Sequence, residues 1–141
     1  MFELVHTVTD FYDSARAGIA DLDGVPHLYQ AEWDTALDDY SDTFLLMPID
    51  EATLALALED WAIWQRWEDA FHRGIADRES HPALPSDRER HEELKDLLVG
   101  RLRPDPNYPV RKLGEFRVRA DAATRPLGAF RNLEVRWFDP A

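Results

Sequence analysis

Residues 50–74, DEATLALALEDWAIWQRWEDAFHRG, limit the choice of folds more than any other stretch of the chain. The run holds no Pro and no Gly before Gly74, and three of the chain's five tryptophans fall inside it. Its ends carry helix signals. Asp50 is a good N-cap, because its carboxylate accepts from the orphan N–H groups of a first turn. Ile49 and Leu54 stand at the positions of a hydrophobic staple. Glu51 places negative charge at the positive end of the helix dipole, and His72 and Arg73 place cationic groups near the negative end. Gly74 supplies a residue that turns left-handed just past the last turn. A helix over this run would be roughly 35 Å long. Its apolar residues spread over several faces: Leu54, Leu58 and Trp61 on one, Ile63, Trp67 and Ala70 on another, Trp64 and Phe71 beside them. So wide an apolar surface predicts contacts on more than one side, made by a second helix or by another copy of the chain. Trp61, Trp64 and Trp67 sweep round the helix, and most of them are expected in the core.

The remaining segments read mainly as strands. Residues 2–12, FELVHTVTDFY, are rich in β-branched and aromatic types. Asp23-Gly24 separates two apolar-containing runs, 17–22 and 25–33, and is the pair that a type I′ hairpin turn selects. On the outgoing strand Val25, His27, Tyr29, Ala31 and Trp33 share one face. Pro26 lacks an N–H, which predicts a strand edge there. An acidic loop is expected over 34–42, then a short strand over 43–47 and a break at Pro48. After Gly74, Ser86 and Glu89 have the spacing of a capping box for a second helix over about 87–99, with Leu94, Leu97 and Leu98 on its apolar face and Gly100 beyond its end. Pro104, Pro106 and Pro109 exclude a helix in the next loop. Two alternating runs, 115–120 and 132–138, predict a final hairpin, with 121–128 as its loop.

Four strands, two helices and two strands predict an α+β fold. The expected architecture is one curved antiparallel sheet or small barrel of about six strands, with a two-helix insertion between strands four and five. At 141 residues the chain is expected to form a single domain over 1–141.

Charge and composition narrow the function classes. The net charge is −12 and unevenly placed. No Lys or Arg occurs between Arg16 and Arg66, while that interval holds eleven carboxylates; residues 66–141 carry 15 basic and 14 acidic side chains. Such a field repels nucleic-acid phosphates and anionic membranes, so neither is an expected partner, and it favours basic proteins or cations. The predominance of Arg over Lys reads as compositional bias, as in a GC-rich bacterial genome. There is no cysteine, which removes disulfides, thiol chemistry and Cys-based zinc sites. No apolar run is long enough to span a bilayer, and the N-terminus lacks the regions of a signal peptide, so a cytoplasmic location is expected.

No motif with a chemical mechanism stands out. The Walker loop, GxGxxG, GxSxG and HExxH are all missing, so no catalytic residue and no cofactor is expected. Asp21, Asp23 and Glu32 imitate the first, third and twelfth positions of a calcium loop, but Val25 replaces an oxygen ligand and Pro26 the required glycine. Glu68 and His72, with His91 and Glu92 on the second helix, have only partial metal-site spacing, and no metal site is expected. The candidate binding residues are Tyr12, Asp13, Arg16, His27 and Tyr29 around the first hairpins, and Asp34, Asp38, Asp39 and Asp42 in the acidic loop. The favoured expectation is a non-enzymatic acidic binding or accessory protein, of immunity, antitoxin or regulatory type, that covers a basic protein partner. The alternative is a small metal-assisted hydrolase or ligand-binding domain that uses the acidic-loop carboxylates and His27.

Overall fold

The computed structural model describes residues 1–105, 107, 110–120 and 131–140. Pro106, Pro109 and the expected loop over 121–128 lie outside the described residues. The chain forms two compact units: a barrel unit of Met1–Ile49 and Pro104–Ala141, and a helical unit of Asp50–Arg103.

In the barrel unit six antiparallel strands close on themselves in chain order: β1 (Glu3–Tyr12), β2 (Ser14–Leu22), β3 (Val25–Asp34), β4 (Asp39–Pro48), β5 (Arg111–Val118) and β6 (Leu133–Phe138). β6 completes the ring by pairing Val135 with Glu3 and Glu134 with Leu4. The Asp-Gly pair makes the turn its chemistry demands, with φ of 54° at Asp23 and 78° at Gly24. Glu3 accepts from both turn N–H groups, at 3.1 and 2.8 Å. Pro26 is not on an edge strand, because the barrel has none. It is tolerated at the second residue of β3 since Leu22 and Val25 form the pair that closes the hairpin, and alternation turns the nitrogen of Pro26 away from β2. Its carbonyl still accepts from Ile49 N, at 3.1 Å.

The interior is filled around Tyr29, whose side chain is fully buried. The Tyr29 hydroxyl donates to the Thr7 carbonyl on β1, at 3.0 Å. Its ring lies 5.9 Å from Phe44 on β4, 5.4 Å from Phe116 on β5 and 6.1 Å from Trp137 on β6. Two glycines make the room. A Cβ at Gly18 on β2 would lie 2.1 Å from the Thr7 carbonyl oxygen and 2.7 Å from the Tyr29 hydroxyl; one at Gly114 on β5 would lie 2.8 Å from the Trp137 ring. Burial without a charged partner pushes the Tyr29 phenol far above its ordinary pKa. The Trp137 indole donates to the Asp21 carbonyl at 2.9 Å, which ties β6 to β2. On the wet face of the last hairpin, Arg117 meets Glu134 at 2.5 Å and Arg136 meets Glu115 at 2.7 Å, both in register. These pairs are exposed and contribute little each.

The helical unit consists of α1 (Glu51–His72) and α2 (Arg88–Val99). Asp50 caps α1 by accepting from Thr53 N at 2.7 Å. At the other end Gly74, with φ of 74°, donates to the Phe71 carbonyl at 3.0 Å and Ile75 donates to Ala70 at 2.9 Å, which is a Schellman closure. The second helix starts differently from the sequence expectation. Ser86 lies inside a short 3₁₀ turn, Pro85–Asp87, and the N-cap is Asp87, whose side chain caps nothing. That carboxylate is held instead by Arg66, at 2.8 and 3.0 Å. α2 runs antiparallel to α1, fixed also by Arg90 on Glu59 (2.5 and 2.8 Å) and His91 on Asp60 (2.7 Å). Leu94 and Leu98 are buried, but Leu97 is exposed. Trp67 is buried and donates to the Ser80 hydroxyl at 2.9 Å. Trp61 and Trp64 stack on each other at 4.9 Å and remain half-buried.

Gly18→Ala is expected to destabilise the barrel by about 3 kcal/mol or more in urea unfolding, because backbone stands where its Cβ must go. Tyr29→Phe keeps the ring but takes the hydroxyl donor from the buried Thr7 carbonyl, so its cost is expected at about 2 kcal/mol. The Arg90 hydrogen bonds hold the Glu59 carboxyl below its ordinary pKa, and the Arg66 hydrogen bonds do the same for Asp87. Depressed folded values mean stabilisation that is present above the unfolded carboxylate pKa and lost as pH falls through the folded one. Helical ellipticity followed on acidification from about pH 5 is therefore expected to fall at higher pH in Glu59→Gln than in the parent.

Candidate functional site

Toward the tip of the β3–β4 hairpin, β4 loses its pairing with β5 while keeping that with β3. β5 pairs with β4 only at Thr43, Phe44 and Leu45, whereas β4 continues back to Asp39. Beyond that height lie the tip of the β1–β2 hairpin, with Asp13 as its turn, and the tip of the β3–β4 hairpin. Both tips belong to the same end of the barrel, because β1 and β3 both run toward it. The expected acidic loop is shorter than 34–42. Asp34 ends β3, Asp39 begins β4, and the two are directly paired, as are Trp33 and Tyr40. Paired strand continues to the turn because the Trp33–Tyr40 rings pack across it, edge to face at 5.1 Å. Between the pairs Ala31–Phe44 and Trp33–Tyr40 the register shifts, so that Ser41, Asp42 and Thr43 bulge opposite Glu32. The Ser41 hydroxyl accepts from Thr43 N at 3.1 Å within this bulge.

Tyr40 joins the two tips. Its hydroxyl donates to Asp10 on β1 at 2.9 Å, and its ring lies 6.3 Å from that of Tyr12. Arg16 closes the set from β2. Its guanidinium carbon stands 5.2 Å from the centre of the Tyr40 ring, Nε donates to the Tyr12 carbonyl at 2.9 Å, and Nη1 reaches the Ser41 carbonyl at 3.5 Å and Asp42 at 3.9 Å. The result is an aromatic surface of Tyr12, Trp33 and Tyr40 edged by Asp10 and Asp42. Tyr12 is 59% exposed and Trp33 52%.

The other carboxylates have local duties or stand at the rim. Asp34 accepts from Ala36 N at 2.9 Å and Leu37 N at 3.2 Å, and so shapes the turn. Asp39 accepts from Tyr40 N at 2.7 Å. Asp13 and Asp38 occupy left-handed turn positions, with φ of 63° and 51°, which Asp tolerates better than most residues. Neither His27 nor Tyr29 joins this surface. Tyr29 is the centre of the barrel interior. His27 is buried and its Nδ1 donates to the Val25 carbonyl at 2.7 Å. It lies seven residues before Asp34 on the same extended strand, about 23 Å away at the usual rise. Among the described residues no three His, Asp or Glu side chains gather as a metal site.

Sequence reasoning missed Asp10 and Tyr40 and grouped Trp33 with His27, Tyr29 and Ala31 on one face of the strand. Trp33 has the parity of Tyr29 and Ala31, but it pairs with Tyr40, beyond the register shift and beyond the last β4–β5 pair at Thr43, and it is exposed. The available signal was the placement of Trp33 and Tyr40 at equal distances from the turn over 35–38. That pattern indicates a cross-strand aromatic pair. Comparisons of the chain with protein-family models, with curated proteins and with solved structures return no match.

The hydrogen bond from Tyr40 to the Asp10 carboxylate favours the neutral phenol, and the negative charge of Asp10 acts in the same direction, so Tyr40 ionises above the ordinary tyrosine value. Phenolate absorbance in an alkaline titration is expected to rise at lower pH in Asp10→Asn than in the parent. Superimposable titrations would show that the bond does not persist in solution.

Proposed function

We propose that the chain is a non-enzymatic binding protein that engages a basic protein partner through the tips of its two N-terminal hairpins. The supporting observation is the exposure of Tyr12 and Trp33 on a surface whose neighbours are Asp10, Asp13, Asp34, Asp38, Asp39 and Asp42. Large aromatic side chains left in water forgo burial, and Trp and Tyr are the residues that anchor protein interfaces once a partner dries them. The surrounding negative field speeds encounter with a positive partner and disfavours nucleic acid and anionic lipid. An immunity, antitoxin or regulatory protein that covers a basic surface has this combination. A metal-assisted hydrolase built on the acidic turn and His27 has less support, because those groups lie at opposite ends of β3.

Asp34 and Asp39 are directly paired. Like charges directly opposite each other weaken a hairpin, a cost set against the turn hydrogen bonds that Asp34 and Asp39 accept. Asp39→Lys is expected to stabilise the isolated protein by about 0.5 kcal/mol and at the same time to slow association with the partner. A partner captured at low salt and measured by surface plasmon resonance should show an association rate that falls steeply with added salt. It should also fall with Asp39→Lys, and Trp33→Ala should raise the dissociation rate. An association rate indifferent to salt and to Asp39→Lys would sink the proposal.

A further inference from the structure

We infer that the cation this surface takes from its partner is the guanidinium of an arginine, not a lysine ammonium. The inference rests on the binding role proposed above and names the chemistry that the site reads. Its basis is the way the chain treats its own arginine there.

Arg16 shows what the surface offers a flat cation. The Tyr40 ring supplies a face for the guanidinium, and the Tyr12 and Ser41 carbonyls accept from its edge, with Asp42 beside it. Arg16 is the single basic residue among the tip residues 10–16 and 33–42, whereas six carboxylates are placed there. One guanidinium therefore leaves most of the negative charge unanswered. Aromatic surface is also left over. Trp33 meets Tyr40 edge to face, with an interplanar angle of 81°, so the pairing does not cover both indole faces. More than half of Trp33 and of Tyr12 is in water.

The chemistry selects between the two basic side chains. A guanidinium is planar and weakly hydrated; it can lie on an indole or phenol face while its edge N–H groups bond to carboxylates. An ammonium is a strongly hydrated point charge, and stacking on Trp33 would strip water that the ring does not replace. A surface of rings edged by oxygen acceptors therefore favours arginine, whereas a plain acidic patch would take either.

Three nine-residue peptides test this, each of alternating glycine and one other residue: arginine, lysine, or the uncharged arginine analogue citrulline. Binding at low salt is read by NMR from the Trp33 indole N–H, identified by its loss in Trp33→Ala. The arginine peptide is expected to move that resonance and to bind about fivefold more tightly than the lysine peptide. Trp33→Ala, checked for an unchanged fold by circular dichroism, should remove most of that preference. Citrulline should not bind. Equal affinities for arginine and lysine, both abolished by salt, would overturn the arginine assignment and leave the basic-partner reading standing. Binding of citrulline as tight as that of arginine would overturn the cationic basis of the site. No shift of the Trp33 resonance with any peptide would remove both inferences.

Discussion

A single hydroxyl-to-carbonyl bond in the barrel interior, from Tyr29 on β3 to Thr7 on β1, sets the geometry on which the unit depends. It passes over β2 at Gly18, where any side chain would collide with both partners. The ring that carries the hydroxyl packs on Phe44, Phe116 and Trp137. One side chain thus meets all five other strands. A polar group buried so completely is stable only when its bond is made, so the interior accepts one relative placement of the strands and disfavours slipped ones. The same aromatic filling makes the interior a packed core.

The height of the barrel follows from where that core ends. β4 and β5 pair only over three residues, ending at Thr43–Leu113, and β5 then continues to Val118 paired with β6 alone. The first four strands continue as two hairpins whose tips contain more aromatic surface than their own packing covers. Tyr40 links the tips through Asp10 and Tyr12, and Arg16 braces them from below. Rigid strands, not a loose loop, therefore present the acidic and aromatic groups. A surface held in this way has little conformational entropy left to lose.

The helical unit is closed by a different kind of interaction. Arg66, Arg90 and His91 reach carboxylates across the two helices, while Leu94, Leu98, Ile63 and Trp67 are buried. No helix among the described residues is long and apolar enough to cross a membrane. The width of the apolar surface on α1 is met in part by α2. Trp61 and Trp64 meet the rest of their need by stacking on each other.

Local chemistry was readable wherever neighbours in sequence are also partners in space. Asp23-Gly24 determined its turn, Asp50 and Gly74 determined the ends of α1, and the alternation over 132–138 determined a strand, since each depends on backbone conformations a few residues apart. The order of these elements was enough to give a curved antiparallel sheet or small barrel of about six strands, with a helical insertion between strands four and five; closure into a barrel came from the tertiary structure. Tertiary structure decided what sequence distance conceals. It sent Tyr29 into the interior and left Trp33, four residues on and of the same parity, outside it, because a register shift and the end of the β4–β5 pairing come between them. It set Ser86 within a 3₁₀ turn, made Asp87 the N-cap of α2 and gave the Asp87 carboxylate to Arg66. It brought Asp10, Arg16 and Tyr40 together from three strands. The sequence by itself determined the strands, the helix ends and the sign of the charge; only closure of the barrel determined which aromatic and acidic side chains face water together, because that depends on strand lengths and register set by contacts far apart in the chain.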